Sequence, residues 1–563
     1  MSNKLVNALR GAAALALVAS VPTVSTAADL DILKVSGYIR QALQLNLSDA
    51  NETAVNDRWD LSMSRTTVRV DVEAELPNVT FVGIFRASRE VETNYLKRLN
   101  ALKDANTQLF GGLAFALAGS PGTVPAGSLD LEEYYDAEDM RELYAEFDVT
   151  DRISVRLGKQ QVAFGETDFF QANDILHGFD LTWRSFLETE NEELRKPLTM
   201  VNATVQVPEL SGKLQLIYGP GDINPNGAFG TELDILGGRF ASQPNKGLSF
   251  LDTTITPYNY NHSKGDTDED FWAVRWSGYS FDINYSLMYV RQVTPTPIVV
   301  GNPNVMPLVV NALSGGAVPV DPTETAFMNS GDIPFEGTTC AQGATGPACF
   351  GETVYPFVNT YGGTASYYDA FTDAVYSTEL SYIVDKPFQS GRFCSFCTGV
   401  SGFVGLARAI RKDELSLMLR GEKLLYLSDY IGTHRASFLS IQVFNRWLPD
   451  FEKNDQLTVG PGFGQPKKRW ETTATAILAM NYLSDRINPT LAFGYDVSYG
   501  SAFFIPSVNL VQGDVWRFLI EADLFFANDD RKSGETAANE QEDNIIGSFN
   551  QNNQLYIRLT RQF

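Results

Sequence analysis

The stretch Leu555-Tyr556-Ile557-Arg558-Leu559-Thr560-Arg561-Gln562-Phe563 places Leu, Ile, Leu, Arg and Phe at its odd positions and Tyr, Arg, Thr and Gln at its even ones. Side chains alternate across a strand with a period of two, so one face of this segment is apolar and the other polar. The same alternation recurs upstream. Trp516, Phe518, Ile520, Ala522, Leu524 and Phe526 face one way, whereas Arg517, Glu521 and Asp523 face the other. Leu491, Phe493, Tyr495, Val497 and Tyr499 alternate with Ala492, Gly494, Asp496 and Ser498. Near the start, Val68, Val70, Val72, Ala74 and Leu76 alternate with Thr67, Arg69, Asp71, Glu73 and Glu75. Such segments run to roughly 9–11 residues, the length a tilted strand needs to cross an apolar layer.

A soluble sandwich has the same period, with its apolar set turned to a core. Two features argue for lipid instead. Tight connections at Pro77-Asn78, Thr150-Asp151, Pro208 to Ser211, Gly278 to Ser280, Ser484 to Ile487 and Val511 to Gly513 alternate with long ones. The long ones fall at about 47–60, 92–139, 164–196, 220–267, 294–373, 449–468 and 528–552. Short turns on one rim and long loops on the other mark an outer-membrane barrel. Charges of both signs also share one strand parity: Glu142, Glu146 and Asp148 in one strand, Arg152 and Arg156 in its hairpin partner. A dry core would hold them only at heavy desolvation cost, whereas a wet lumen accommodates them.

The reading is therefore all-β: a transmembrane antiparallel β-barrel of 16–18 strands, with long extracellular loops, short periplasmic turns and both termini in the periplasm. Eighteen candidates fall near 34–46, 62–76, 79–91, 140–149, 152–163, 197–207, 212–219, 268–278, 280–293, 374–384, 402–411, 413–427, 435–448, 469–483, 488–499, 502–510, 514–527 and 553–563. Sixteen is the alternative, because 385–430 contains a cysteine-bearing connection and an Arg411-Lys412-Asp413 turn that can be read otherwise. The closing segment resembles the C-terminal strand of Gram-negative outer-membrane barrels, which the barrel-assembly machinery reads through a terminal aromatic, here Phe563.

Lys4 and Arg10, an apolar run from Gly11 to Val21 and the small residues Ser25-Thr26-Ala27 read as a secretory leader over 1–27, leaving 28–563 as one barrel domain. Downstream, no apolar run approaches the roughly 18 residues of a spanning helix; Leu109 to Gly119 is the longest and falls short. Lys+Arg 44 against Asp+Glu 68 gives a net charge of −24, or −26 once the leader's two cations are removed. That balance disfavours a nucleic-acid partner, which needs a basic face. In an exported protein four cysteines point to disulfides, with two local bridges, Cys340 with Cys349 and Cys394 with Cys397, as the preferred pairing. Thr398 after Cys397 excludes haem attachment, and no cofactor is called for.

The segment Arg156-Leu157-Gly158-Lys159-Gln160-Gln161-Val162-Ala163-Phe164-Gly165-Glu166-Thr167-Asp168, followed by Asp174-Ile175 and Asp180-Leu181, resembles the proteobacterial outer-membrane barrels catalogued as domain of unknown function 1302. Their pattern is Gly-Arg-Gln-x-Val-x-Trp-Gly-Glu, then Asp-Ile and a downstream Asp-Leu. Here Lys159 stands for Arg, Phe164 for Trp, and His177-Gly178 for Asn-Pro. The likeness extends to Arg195-Lys196-Pro197-Leu198, to Leu419-Arg420-Gly421-Glu422 and from Asn481 to Phe563, including Asn488-Pro489. The resemblance implies a porin-like barrel engaged in export or uptake of lipids and other hydrophobic compounds, embedded among outer-membrane lipid and lipopolysaccharide, alongside periplasmic or inner-membrane exporter components.

Read from its residues, the same segment is a strand that ends at Gly165 and enters a loop whose glycines permit a bend toward the lumen. Glu166, Asp168, Asp174 and Asp180 are then placed to pair with Arg184, Arg195 or the lumen arginines Arg69 and Arg156, with Glu142 and Glu146 on the wall. Two readings stand: a mixed-sign constriction that orients a polar or amphipathic solute, or a loop pinned by salt bridges to brace the barrel. In the loop 92–139, Tyr95, Leu99 and Leu102 at helical spacing predict a rim helix. Asp266, Asp268 and Asp270 alternate as in a calcium loop, but Phe271 stands where glycine is required, so no metal is assigned. The long 294–373 connection reads as a lid. Only His177, His262 and His434 are available, with no HExxH, GxSxG or phosphate-binding glycine loop, so the chain reads as a non-enzyme. Two functions remain: a pore for small or amphipathic molecules, its acidic loops favouring cations, or a non-conducting scaffold that docks a periplasmic partner.

Overall fold

The computed structural model describes every residue except 1–31, 50–51, 118–129, 166, 168, 171, 183, 185–186, 189, 222–237, 242–245, 247–256, 267–268, 295, 306–307, 309–310, 312–325, 327, 339–341, 344–345, 348, 350, 391–407, 461–462 and 528–545. Eighteen antiparallel strands form one sheet. They are β1 Leu33–Asn46, β2 Leu61–Leu76, β3 Val79–Glu90, β4 Ala137–Thr150, β5 Ile153–Gln160, β6 Leu198–Val207, β7 Gly212–Gly219, β8 Phe271–Ser280 and β9 Ile283–Val293. The second half comprises β10 Phe357–Asp369, β11 Ala374–Ser390, β12 Arg408–Leu425, β13 Ser437–Trp447, β14 Trp470–Ala479, β15 Ile487–Asp496, β16 Ala502–Gln512, β17 Trp516–Phe526 and β18 Gln554–Gln562. Each strand pairs with its sequence neighbour, and β18 returns to β1 from Tyr38↔Gln562 to Asn46↔Gln554. The ring is closed, so no strand edge is left to seek a partner, which is the condition for a sheet to sit in lipid.

The register explains the alternation. On the outer face Leu510 lies opposite Phe518, Val508 opposite Ile520 and Phe504 opposite Leu524, while Ser507 meets Glu521 and Asn509 meets Leu519 inside. Leu287, Leu380, Leu419 and Phe493 stand exposed on the same outer belt. Lipid removes that liability at about 25 cal/mol per Å² of apolar surface withdrawn from water. Among the described residues no helix is long and apolar enough to cross a membrane, and the strands do the crossing. A closed ring with an apolar belt outside and polar side chains within is the architecture of an outer-membrane β-barrel.

The turns obey local stereochemistry. Phe281 and Asp282 link β8 to β9 with positive φ at both positions, the primed turn that matches strand twist. At the seam, Gly37 exchanges backbone hydrogen bonds with Phe563, and a Cβ on Gly37 would fall 2.2 Å from the Arg69 carbonyl oxygen and 2.9 Å from the Phe563 ring.

Eighteen strands agree with the expected number, but one of them lies elsewhere and two expected ones are merged. Residues 357–369 form β10 inside what reads as a loop over 294–373. The two strands expected at 402–411 and 413–427 are the single strand β12. Arg411, Lys412 and Asp413 are not a turn: they run through β12 beside a bulge in β11, where the register shifts between Ile383 and Lys386 and Asp385 takes positive φ. The helix expected in the 92–139 loop is α1, Asn94–Leu117, with Tyr95, Leu96 and Leu99 buried against Leu131 and Tyr135 of α2, Leu131–Tyr135. Arg98 ties α1 to Asp57 and Asp60. Between β9 and β10, a short ladder pairs Ile298–Gly301 with Gly351–Val354 and packs on Ile333 and Ala409. The leader lies outside the described residues.

Candidate functional site

The chain between β5 and β6, residues 161–197, folds into the barrel and reaches opposite walls of its bore. Its apolar side chains anchor it at three places. Val162, Phe164 and Leu176 pack with Leu198, Met200, Ile217, Phe271 and Met288 on β6 to β9. Phe169 and Leu187 pack with Ala492, Phe503, Ile505 and Phe525 on β15 to β17. Phe179 and Leu194 pack with Ala42, Met63 and Tyr556 on β1, β2 and β18. Phe170 meets the Phe444 ring of β13 edge-on at 5.7 Å.

Polar contacts fix the segment between these anchors. The Nδ1 of His177 faces the Lys196 carbonyl at 2.9 Å, and Nε2 accepts the Val162 N–H at 2.9 Å. Burial drives the imidazole's pKa down to about 3, with Arg195 and Arg141 adding to the shift, so the ring is neutral and bridges both ends of the segment. Asp174 takes Arg195, whose Nε lies 3.1 Å away. Asn173 N–H donates to Glu379 of β11 at 3.1 Å, and the Asn173 amide donates to the Gly363 carbonyl at 3.0 Å. Arg184, only 2 % exposed, reaches Glu521 at 2.5 Å and Asp523 at 3.4 Å on β17 and stacks 3.7 Å over Tyr556.

The return limb carries the acids Glu188, Glu190, Glu192 and Glu193, the last two in the single-turn helix α3, Asn191–Leu194. They enter a group of arginines from five strands. Glu193 accepts the Tyr38 hydroxyl at 2.8 Å and Arg86 at 3.2 Å, with Arg69 at 3.5 Å and Arg40 at 3.9 Å. Glu192 pairs with Arg69 at 2.9 Å, while Arg558 reaches Glu190 at 3.4 Å and Glu188 at 3.6 Å. Arg141 donates to the Glu192 and Arg195 carbonyls, both at 2.6 Å. Burial alone would raise the Glu193 carboxyl, but Arg40, Arg86, the Tyr38 hydroxyl and Arg69 outweigh it and hold its pKa at about 2.

Two cavities flank the segment. One, of about 280 Å³, is lined by Phe170, Phe179, Leu181 and Phe388 together with the pairs Lys386–Glu414 and Lys467–Glu471, each at 2.8 Å, and both lysines lie 5.6 Å from the Phe388 ring. The second, of about 580 Å³, lies at the periplasmic end beside the seam and is bordered by Arg40, Arg69, Arg517 and Arg558.

The anticipated residues divide between these features. Arg69, Asp174 and Arg184 contact or belong to the inward segment as above; Asp180 is turned onto Thr182 at 2.5 Å. Glu142 accepts from Gln161 at 3.1 Å. Arg156 stays on the wall, paired with Glu146 at 2.7 Å, and pairs with none of the described acids of the segment. Glu166 and Asp168 lie outside the described residues, as do Cys340, Cys394 and Cys397; Cys349 is disulfide-bonded. Asp268 is likewise outside, and Asp270 is taken up by the Tyr218 hydroxyl at 2.7 Å and Gly221 N–H at 3.1 Å. Asp49, Glu52 and Asp57 are spaced for a metal ion, but Lys246 and Tyr95 occupy Glu52, and Arg98 occupies Asp57. The sequence reading missed Arg40, Arg86, Arg141, Arg558 and the run from Glu188 to Glu193. Its available signal was four acids in six residues placed before an Arg-Lys pair, with inward parity for the strand arginines.

A family model described as Protein of unknown function (DUF1302) matches residues 9–563. No curated protein matches the chain. Among solved structures, OccAB1 of Acinetobacter baumannii is similar at 10 % identity over 94 % of this chain and 96 % of that one, with a TM-score of 0.42. The outer membrane protein opdK from Pseudomonas aeruginosa is similar at 8 % identity over 95 % and 99 %, with a TM-score of 0.41. The outer membrane channel DcaP of Acinetobacter baumannii is similar at 7 % identity over 94 % and 97 %, with a TM-score of 0.36.

Proposed function

From the premise that the chain belongs to the DUF1302 family, we propose that it is a porin-like channel passing small or amphipathic compounds across the outer membrane. The observation that carries this reading is the segment 161–197, which narrows a wet, charged bore and leaves a cavity lined by aromatic rings and ion pairs together. Such a lining suits a solute with an apolar body and a polar end, because each surface finds its complement without stripping a charge of its partner. Both roles of the segment coexist: the ion pairs that brace it also set the width and charge of the passage. The work is passage, with no catalysis assigned.

A second reading, a scaffold that conducts little and docks a periplasmic partner of an export system, draws on the segment's anchorage to opposite walls, which obstructs the bore. Purified protein in planar bilayers separates the two. Discrete ion steps support the channel; their absence from preparations that retain the heat-modifiable mobility of a folded barrel supports the scaffold. The acidic loops favour cations by raising their local concentration, whereas the periplasmic arginines favour anions. The expected zero-current potential in a salt gradient is mildly cation-selective, and reversal on the anion side refutes that part of the reading. We further propose that Phe563 addresses the barrel-assembly machinery and that lipopolysaccharide and outer-membrane lipid cover the apolar belt.

A further inference from the structure

The arginines of the periplasmic cavity come from the barrel wall, whereas most of the carboxylates that neutralise them come from the inward segment. Of the charged side chains bordering it, the strands supply Arg40, Arg69, Arg517 and Arg558 against the single side-chain carboxylate of Asp71, a net of three positive charges. Glu190, Glu192 and Glu193 supply the three charges that balance the side chains, and the α-carboxylate of Phe563 adds one more negative charge at the rim. The match is incomplete. Among the described residues Arg517 donates only to the Gly513 and Trp516 carbonyls, and Arg40, nine-tenths buried, keeps an Nε with no acceptor. Glu192 is 57 % exposed in its side chain and Glu190 about half, so both sit at the surface of an open chamber, unlike Glu193 beneath them.

We propose that this chamber is a binding site for compact polyanions bearing several carboxylate or phosphate groups, and that Glu190 and Glu192 are its tethered occupants. The planar guanidinium fork takes two oxygens of a carboxylate or phosphate at once, so four such forks around one cavity form a receptor for multivalent anionic oxygen. A solute anion entering from the periplasm competes with two half-exposed carboxylates, and Arg517 is available to it at the outset. Because Glu192 also anchors α3 through Arg69, an anion that wins this competition loosens the return limb of the segment that narrows the bore. The site thereby couples anion binding to the width of the passage. This coupling rests on the channel reading; the binding does not.

The test is isothermal titration calorimetry on the purified full-length barrel in a non-ionic detergent at fixed ionic strength, with sodium tripolyphosphate and with sodium citrate as separate probes. The expected result is that Glu190→Gln with Glu192→Gln binds at least one probe more tightly than the parent, by about fivefold for the removal of two half-exposed competing ion pairs. Adding Arg40→Gln and Arg558→Gln to that background is expected to abolish the gain. Tightening with tripolyphosphate alone assigns the site to phosphates, and with citrate alone to polycarboxylates. No tightening with either probe, or a gain that survives loss of the arginines, overturns the proposal. Heat-modifiable mobility checks folding; if the double variant does not fold, Glu192→Gln alone carries the test, with about a twofold gain expected. Calorimetry needs no conductance, so a barrel that binds but passes no current rejects the channel and keeps the site.

Discussion

Arg184 is the sharpest point at which to test whether the inward segment is held by charge. Its guanidinium is buried between Glu521 and Asp523 and rests on Tyr556. Arg184→Met keeps an apolar stem of similar length but leaves two carboxylates in a site where Asp523 is wholly buried. Breaking a buried ion pair from one side costs about 3–5 kcal/mol, because the remaining charge is uncompensated. The barrel wall does not depend on this contact, so the cost falls on docking of the segment; at about 1.4 kcal/mol per factor of ten, the undocked population rises by about two to three and a half powers of ten. Native-state hydrogen exchange reads that population at amides bonded within the segment, such as Asp180 N–H to Leu194 at 2.7 Å and Lys196 N–H to Gly178 at 2.8 Å. Exchange there is expected to accelerate by roughly a hundred- to a few thousandfold while strand amides stay unchanged. Combining Arg184→Met with Glu521→Gln and Asp523→Asn is expected to return exchange to within about tenfold of the parent, since no lone charge remains. Parental rates in the single variant, or no recovery in the triple one, would refute charge pinning and leave packing of Phe169 and Leu187 as the anchor.

Three further outcomes follow from the same geometry. Acidification should undock the segment in two stages. His177 is neutral when docked, with a pKa of about 3 against an ordinary 6.5, so its contribution is full above 6.5 and declines as pH falls towards 3. Glu193, at about 2 against 4.5, contributes fully above 4.5 and loses its contribution as pH falls through 2. Segment exchange, corrected for its intrinsic pH dependence, should therefore quicken by at most about tenfold per pH unit between 6.5 and 4.5, where one proton is taken up, and by at most about a hundredfold per unit from 4.5 towards 3, where two are; His177→Gln should flatten the upper stage. Leu380→Arg on the outer belt should destabilise the barrel in lipid vesicles by about 2–4 kcal/mol in urea titrations, whereas Ser377→Arg on the inner face should cost far less; equal costs would mean the faces are misassigned. Gly37→Ala must displace the Arg69 carbonyl or the Phe563 ring, so the heat-modifiable folded form should appear more slowly, and unchanged assembly would mean the seam tolerates the shift.

The strands that alternate bulky apolar residues with charges, such as β2 and β17, were legible because lipid and water select opposite chemistries on their two faces. The strand β10 was not. Its outward positions include Asn359, Gly363 and Ala365 and its inward ones Thr360, Gly362 and Thr364, so small and polar residues at both parities erase the contrast. In β12 the run Arg411-Lys412-Asp413-Glu414 looks like a turn because it is charged throughout. Its place beside the β11 bulge, with Glu414 on Lys386 and Lys412 on Asp455, satisfies those charges within a continuous strand. The inward bend at Gly165 and the pairing of Asp174 with Arg195 were within reach of the sequence, being local. The arginine group around Glu193 was not, because it gathers residues from five strands that only the register of a closed ring brings together.

The seam between β1 and β18 joins segments separated by almost the full span of the barrel, and the entropy of bringing such ends together grows only as the logarithm of the intervening length. Distance along the chain is therefore a modest obstacle to sealing the cylinder. The contents act on the same closure. The segment 161–197 clasps β1 and β2 through Phe179 and β15 to β17 through Phe169, on both flanks of that seam. Because it packs on both flanks, its docking favours the shut hoop over the gaping one, and the cargo inside acts as a clasp on the cylinder that holds it.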